Sequence, residues 1–129
     1  MTQHIGEVAL LVRDYEEATA WFTQKLGFVV VADAPIPPNE RWVTVAPPGS
    51  QAAVRLARAE TDRQRAQVGH QADERVLLYL HTDDFERDHA AYAARGVSFV
   101  EAPRQEAYGT VAVFEDLYGN RWDLLQRKR

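Results

Sequence analysis

An internal repeat limits the fold of this chain more than any other feature of its sequence. An apolar segment leads into Asp14-Tyr15-Glu16, and a second apolar segment leads into Asp84-Phe85-Glu86. The two tripeptides are 70 residues apart, and the offset falls to 69 at the glycines that follow, Gly27 and Gly96, because the second copy is one residue shorter. Self-similarity of this kind predicts two copies of one structural unit.

Both copies predict a strand followed by a helix with defined ends. Asp14 and Asp84 stand at N-cap positions, where a carboxylate accepts hydrogen bonds from the free backbone N–H groups of the first helical turn. Gly27 and Gly96 stand where each helix should end, because glycine adopts the left-handed conformation of a C-terminal cap without steric cost. We therefore expect the same strand-helix unit at the start of each half.

Further strands complete each half. Apolar and β-branched segments predict strands at residues 28–32, 41–46 and 52–57, and three prolines at 35–38 predict a loop over residues 34–39 rather than a helix or a central strand. The second half predicts a strand at 75–81, a helix at 85–95, a loop at 103–108, and strands at 97–101, 110–114 and 120–126.

These elements predict an α+β fold made of two tandem β-α-β-β-β modules in a single domain, residues 1–129. Module one covers residues 1–58 and module two covers residues 75–129. The polar segment between them, residues 59–74, is expected to be a linker with room for a short helix that ends near Gly69.

Composition excludes several classes of function. The chain has 129 residues, no cysteine and a formal net charge of −4, so disulfides, thiolate ligands and a basic nucleic-acid surface are not expected. No segment approaches the roughly 20 apolar residues of a membrane span, and no signal peptide is recognisable at the N-terminus. We therefore expect a cytoplasmic protein with neither nucleic-acid nor membrane partners, in which a metal could bind only through His, Asp or Glu.

The order of several short motifs resembles the vicinal oxygen chelate superfamily, which includes glyoxalase I, extradiol dioxygenases, fosfomycin-resistance enzymes and bleomycin-resistance proteins. The resemblance covers nearly the whole chain, and its one departure is Leu117, where the family usually has proline. The motifs are Val12-Arg13-Asp14, Trp21-Phe22, Leu26-Gly27-Phe28, Arg95-Gly96-Val97, Tyr108-Gly109 and Glu115-Asp116-Leu117-Tyr118-Gly119-Asn120.

The resemblance implies curved sheets that form a cleft, a homodimer, and four candidate positions for metal ligands. Those positions are occupied here by Glu7, Arg55, Leu77 and Asp123. Leucine cannot coordinate a metal, and the guanidinium of Arg55 is a permanent cation that would repel one. We therefore expect no metal and no cofactor at the usual family site.

Glu7, Arg55 and Asp123 remain the most informative polar set. Arg55 could take the place of the metal and bind a carboxylate or phosphate, with Glu7 or Asp123 as a catalytic acid or base. The three could equally form an internal ion-pair cluster without a further role, because buried charges require partners.

Other residues are expected to line the same cleft. Leu77, Tyr79 and His81 share one face of a strand by period-two alternation, and Trp42 and Tyr108 are further candidate walls for a planar or apolar ligand. Each aromatic residue could instead contribute only to packing. His81 could hold a divalent metal at a displaced site, although a hydrogen bond to Asp83 or Asp84 is the favoured interpretation.

Three functions follow from this resemblance. The first is a small-molecule-binding protein of the bleomycin-resistance kind that performs no chemistry. The second is a metal-independent lyase or isomerase that acts on a small acid or carbonyl compound, and the third is a metalloenzyme with a displaced site at His81. The usual glyoxalase I and extradiol dioxygenase activities are not expected.

Overall fold

The computed structural model describes residues 2–129, which form two compact units, one ending at Val68 and the other running from Gly69 to Arg129. The described residues form nine strands and three helices, and the strands make two curved mixed sheets. The α+β fold predicted from the sequence is confirmed. No helix within residues 2–129 is long and apolar enough to cross a membrane.

The first unit is a four-stranded sheet with one face covered by a helix. The strand order is β1-β4-β3-β2, in which β1 runs parallel to β4 and the other pairs are antiparallel. Helix α1 contacts β2, β3 and β4, and this side of the unit is closely packed. Its elements are β1 Glu7–Val12, α1 Tyr15–Lys25, β2 Val29–Ile36, β3 Glu40–Ala46, β4 Ala53–Arg58 and α2 Asp62–Gln67.

The second unit repeats this arrangement around an aromatic core. Its strand order is β5-β9-β8-β6, with β5 parallel to β9 and the short β7 paired with β8. Phe114 lies at the centre of the helix-covered face, with ring centroids 5.7 Å from Tyr92 and 5.8 Å from Trp122. The elements are β5 Val76–His81, α3 Phe85–Ala94, β6 Ser98–Phe99, β7 Arg104–Glu106, β8 Gly109–Glu115 and β9 Arg121–Arg127.

The predicted caps are present in both copies. The Asp14 carboxylate accepts the Glu17 N–H at 2.7 Å, and the Asp84 carboxylate accepts the Arg87 N–H at 3.1 Å. Helix α3 has 10 residues where α1 has 11, which accounts for the residue missing from the second copy of the repeat. The glycines that follow the two helices have φ values of 73° and 86°, in the left-handed region that favours glycine.

Two segments expected to be loops contain strands. β2 continues through Ala34 and Pro35 to Ile36, and β7 occupies residues 104–106. β2 lies at the edge of its sheet, where a proline is tolerated because no neighbour requires its missing N–H. β7 is only 3 residues long and lies on β8, so its own sequence carries too little periodicity to predict it.

A buried carboxylate organises the hairpin between β8 and β9. Asp116 is 5% exposed and accepts hydrogen bonds from the Tyr118 N–H, the Asn120 N–H, the Asn120 side-chain amide and the Trp122 indole. Each bond lies between 3.0 and 3.1 Å. Burial raises the pKa of Asp116, and the four donors oppose that rise. This network fixes the turn that sets the register of the two central strands.

Asp116→Ala is expected to lower the free energy of unfolding by about 2–4 kcal/mol, because it leaves several buried donors without an acceptor. Urea unfolding followed by circular dichroism measures the change. Asp62→Ala serves as the control, since the Asp62 side chain is 98% exposed, and its effect should stay within about 0.5 kcal/mol. Equal effects of the two substitutions would contradict the structural role of the network.

Candidate functional site

In the second unit, the sheet face opposite α3 carries one buried charged residue among buried apolar side chains. Strand register places Tyr79 beside Asp123 and Asp123 beside Val113. The next row on the same face is His81, Leu125 and Val111, because side chains alternate between the two faces of a sheet. We call the six residues of these two rows the Asp123 face. Val111, Val113 and Leu125 are buried and offer no hydrogen bond.

Asp123 is buried without the partners that a buried carboxylate normally has. The residue is 7% exposed, and no described residue donates a hydrogen bond to its buried Oδ1. Burial raises the pKa of the Asp123 carboxyl above its ordinary value, the Arg104 guanidinium opposes this effect, and the Glu101 carboxylate adds to it. Arg104 forms its ion pairs with Glu101 and Glu106 and makes no hydrogen bond to Oδ1 of Asp123.

Tyr79 lies on β5, directly beside Asp123 of β9, and its side chain is open to solvent. The residue is 58% exposed, which is unusual for a tyrosine in the middle of a strand. Neighbouring strands lie about 4.8 Å apart, so the tyrosine ring and the carboxylate are adjacent on one surface. An exposed ring beside a buried carboxylate without a partner can hold a planar molecule and bind one polar group of it.

Asp123→Asn is expected to stabilise the ligand-free protein by about 1–2 kcal/mol at pH 7, since a neutral amide is less costly to bury than a carboxylate without partners. Because the pKa of Asp123 is raised on folding, the folded protein binds this proton more tightly than the unfolded chain does. The stability lost by burying the ionised carboxylate is therefore largest at pH values above the pKa that Asp123 has in the folded protein. This loss disappears as the pH falls to 3.8, the ordinary pKa of an aspartate.

The stability difference between Asp123→Asn and the unsubstituted protein should accordingly be largest near pH 7 and shrink toward low pH. Thermal and urea unfolding across this range measure it. Glu74→Gln is the control, because Glu74 is exposed and its substitution should change stability by less than about 0.5 kcal/mol at every pH. A destabilised Asp123→Asn protein at pH 7 would show that the carboxylate is satisfied after all.

In the first unit, Arg55 forms a second polar group on the sheet face opposite α1. It lies beside Ala9 on β1 and Thr44 on β3. Its guanidinium carbon is 4.8 Å from the centre of the Trp42 ring, and its Nη2 lies 3.3 Å from a carboxylate oxygen of Glu40. The Nε atom is buried and has no hydrogen-bond partner among the described residues. Arg55 thus has one N–H donor that is buried and unpaired.

Glu7, Leu77 and Tyr108 are further site residues predicted from the sequence, and each is located within its own unit. Glu7 is exposed and its register partner is Ala53, whereas the carboxylate that pairs with Arg55 belongs to Glu40. Leu77 is half-buried at a shift in strand register and has no partner on β9. Tyr108 is 44% exposed in the turn between β7 and β8.

His81 is exposed at the end of β5 on the Asp123 face. Within residues 2–129, the hydrogen bond expected between His81 and Asp83 or Asp84 is not formed. The Asp83 carboxylate instead accepts a hydrogen bond from Arg87 at 3.1 Å, and Asp84 caps helix α3.

The residues at the four positions implied by the resemblance do not fit a divalent metal. The first unit offers Glu7 and a guanidinium that already pairs with Glu40, and the second offers Asp123 and the hydrocarbon side chain of Leu77. A metal site needs several neutral or anionic donors around one point. Within residues 2–129, no three His, Cys, Asp or Glu side chains lie close enough together to form one.

Sequence reasoning missed Glu40 and the apolar floor around Asp123. Glu40 and Trp42 alternate onto the same face as Thr44, whose register partner is Arg55. The register follows from the connection between β3 and β4, which the sequence shows only as Pro47-Pro48-Gly49-Ser50. Val111, Val113 and Leu125 could have been assigned to the Asp123 face by the same alternation across the predicted β8–β9 hairpin.

Two units, each with a parallel strand pair, a helix on one sheet face and no helix on the other, define an α+β protein of the paired-module class. The chain belongs to the Glyoxalase/Bleomycin resistance protein/Dioxygenase superfamily, whose family model matches residues 4–124. This confirms the resemblance inferred from the sequence motifs.

Several relatives match over nearly their full length. An uncharacterized protein of Shewanella frigidimarina (strain NCIMB 400) is 48% identical over 128 residues, covering 98% of this chain and 95% of the relative. The structure of TnmS3, an antibiotic binding protein from Streptomyces sp. CB03234, superposes with a TM-score of 0.82 at 29% identity and 98% coverage of both chains. The structure of UcmS2 superposes with a TM-score of 0.84 at 27% identity, covering 97% of this chain and 98% of that one.

Proposed function

We propose that this protein binds a small planar organic molecule on the Asp123 face and releases it unchanged. The observation that carries the proposal is the exposed Tyr79 ring beside the buried carboxylate of Asp123, on a sheet face whose other central residues, Val111, Val113 and Leu125, are apolar and buried. Ligand sites in proteins are largely apolar and aromatic surfaces with a few polar groups that fix orientation. The Asp123 face has this composition.

The family and the solved relatives support a binding role. TnmS3, which is 29% identical to this chain, is described as an antibiotic binding protein. We therefore propose aromatic antibiotics and compounds of similar size and planarity as the ligand class. A homodimer, a cytoplasmic location and a single functional domain stay predictions that accompany this proposal.

A panel of planar aromatic antibiotics and dyes should include compounds that bind in a manner that depends on Tyr79. Tyr79→Ala removes the ring and is expected to weaken binding about tenfold or more, whereas Tyr79→Phe keeps the ring and should retain most of the affinity. Isothermal titration calorimetry measures the dissociation constants. Binding that Tyr79→Ala leaves intact would exclude the Asp123 face as the site.

A second candidate function is a metal-independent lyase or isomerase with Asp123 as the base and Glu7 as a further candidate. The raised pKa of Asp123 favours it, because a desolvated carboxylate is a stronger base than an exposed one. Mass spectrometry of the compound after incubation separates the two functions. Quantitative recovery of unchanged compound supports binding alone, and time-dependent conversion that is lost in Asp123→Asn supports the enzyme.

Arg55 is proposed to bind an anionic or carbonyl group on the sheet face of the first unit through its partly exposed guanidinium. Arg55→Leu is expected to weaken binding of aromatic carboxylates about tenfold. The loss in stability should stay below about 1 kcal/mol, because its ion pair with Glu40 is partly exposed. Arg58→Leu is the matched control, since Arg58 lies on the same strand, faces the opposite side and lies 5.0 Å from the Tyr15 ring centre.

Calorimetry with 1-naphthoate for both arginine variants tests this role. Equal losses in Arg55→Leu and Arg58→Leu would indicate a general effect of charge, and an unchanged affinity in Arg55→Leu would show that Arg55 only packs against Trp42.

A further inference from the structure

The second unit contains two buried aspartates with opposite hydrogen bonding. Asp116 is 5% exposed and accepts four hydrogen bonds, whereas Asp123 is 7% exposed and its Oδ1 accepts none. Nearly all buried polar atoms in folded proteins have a hydrogen-bond partner, so an exception requires an explanation. The network around Asp116 explains its burial by structure alone, but no such network surrounds Asp123.

The Asp123 face supplies no donor to the buried oxygen. Val111, Val113 and Leu125 carry no polar side-chain atom. Tyr79 and His81 carry donors, but both side chains are exposed and neither bonds to Oδ1. Arg104 lies beside Val111 and continues this face, but its ion pairs are with Glu101 and Glu106, and it does not bond to Oδ1 either. A buried oxygen without a donor is expected to lower the stability of the ligand-free protein.

We propose that the missing donor belongs to the ligand: the molecule bound on the Asp123 face donates a hydrogen bond to Asp123. The inference rests on the proposed binding function and specifies its ligand class. Rotation of the carboxylate about its χ2 torsion, which has a broad energy minimum for aspartate, exchanges the covered oxygen with the other one. A donor that arrives beside Tyr79 can thus reach the carboxylate without a change in the backbone.

The chemistry of the face defines the class of ligand. An ionised carboxylate only accepts hydrogen bonds, so it selects phenols, aromatic amines and N–H heterocycles over ethers and esters of the same shape. The exposed ring of Tyr79 selects a planar body. A site built to bond a polar hydrogen discriminates strongly against the analogue that lacks it, because the buried acceptor is then left without a partner.

A matched pair of probes tests the inference. 2-Naphthol and 2-methoxynaphthalene have nearly the same shape, but only 2-naphthol has a donor. Ligand-observed NMR titration at pH 7 is expected to give 2-naphthol at least about a tenfold lower dissociation constant, the range of a hydrogen bond to a charged group.

Two substitutions of Asp123 test whether its carboxylate causes the preference for 2-naphthol. Asp123→Asn keeps an acceptor and adds an N–H donor, so the preference for 2-naphthol should fall several-fold as 2-methoxynaphthalene gains a partner. Asp123→Leu leaves neither a hydrogen-bond donor nor an acceptor, so the dissociation constants of the two probes should come within about twofold of each other. Asp88→Asn is the control, because Asp88 is in the same unit but already accepts hydrogen bonds from Arg87 and Thr82, and it should leave the preference unchanged. The melting temperature of each variant confirms that it is folded.

Equal binding of the two probes to the unsubstituted protein would overturn the inference and leave the proposed function standing. The same holds if neither probe binds while the aromatic panel binds in a manner that depends on Tyr79. If neither the probes nor the panel binds, the proposed function fails as well. A preference for 2-naphthol that persists in Asp123→Leu would also overturn the inference, because another acceptor would then be responsible.

Discussion

Both units depend on a parallel pairing between the first strand and a later strand of the same sheet, β1 with β4 and β5 with β9. Parallel neighbours cannot be joined by a tight turn, so the chain must cross over, and here the crossover includes a helix that covers one face. The other face is left without a helix. The same pairing brings Ala9 beside Arg55 and Tyr79 beside Asp123, so the geometry that builds the core also positions the polar residues of the faces without a helix.

The two buried aspartates of the second unit differ in how far the fold satisfies them. Asp116 satisfies the backbone of a turn and holds the two central strands in register. Asp123, seven residues further along, has the same chemistry but no donor at Oδ1, so we expect it to reduce stability in the absence of a ligand. Buried groups that the fold leaves unsatisfied are concentrated at functional sites, where the complementary group comes from outside the protein.

Local signals in the sequence were sufficient for the helices and for most strands. The N-caps at Asp14 and Asp84 and the glycines after each helix act through neighbouring residues, and the structure reproduces both. The continuation of β2 through Pro35 and the existence of β7 depend on which strands lie at an edge and on pairing with β8. These are properties of the assembled sheet, which periodicity along one segment does not contain.

The candidate site was predictable to the same extent. Asp123, Tyr79 and Arg55 follow from the family motifs and from alternation along a strand. Glu40 as the partner of Arg55 does not, because that pair depends on the register between β3 and β4. The absence of a donor to Asp123 is also not visible in sequence, since it is a property of every side chain around the carboxylate.

The register shift at Leu77 breaks the equivalence of the two copies. In the first unit Glu7 has a partner on β4, but Leu77, which the repeat aligns with Glu7, has none on β9 because β5 contains an extra residue at this point. A side chain introduced at position 77 would therefore not occupy the place beside β9 that its counterpart in the first unit occupies beside β4. The two copies correspond to each other as segments of sequence, but not as positions in their sheets.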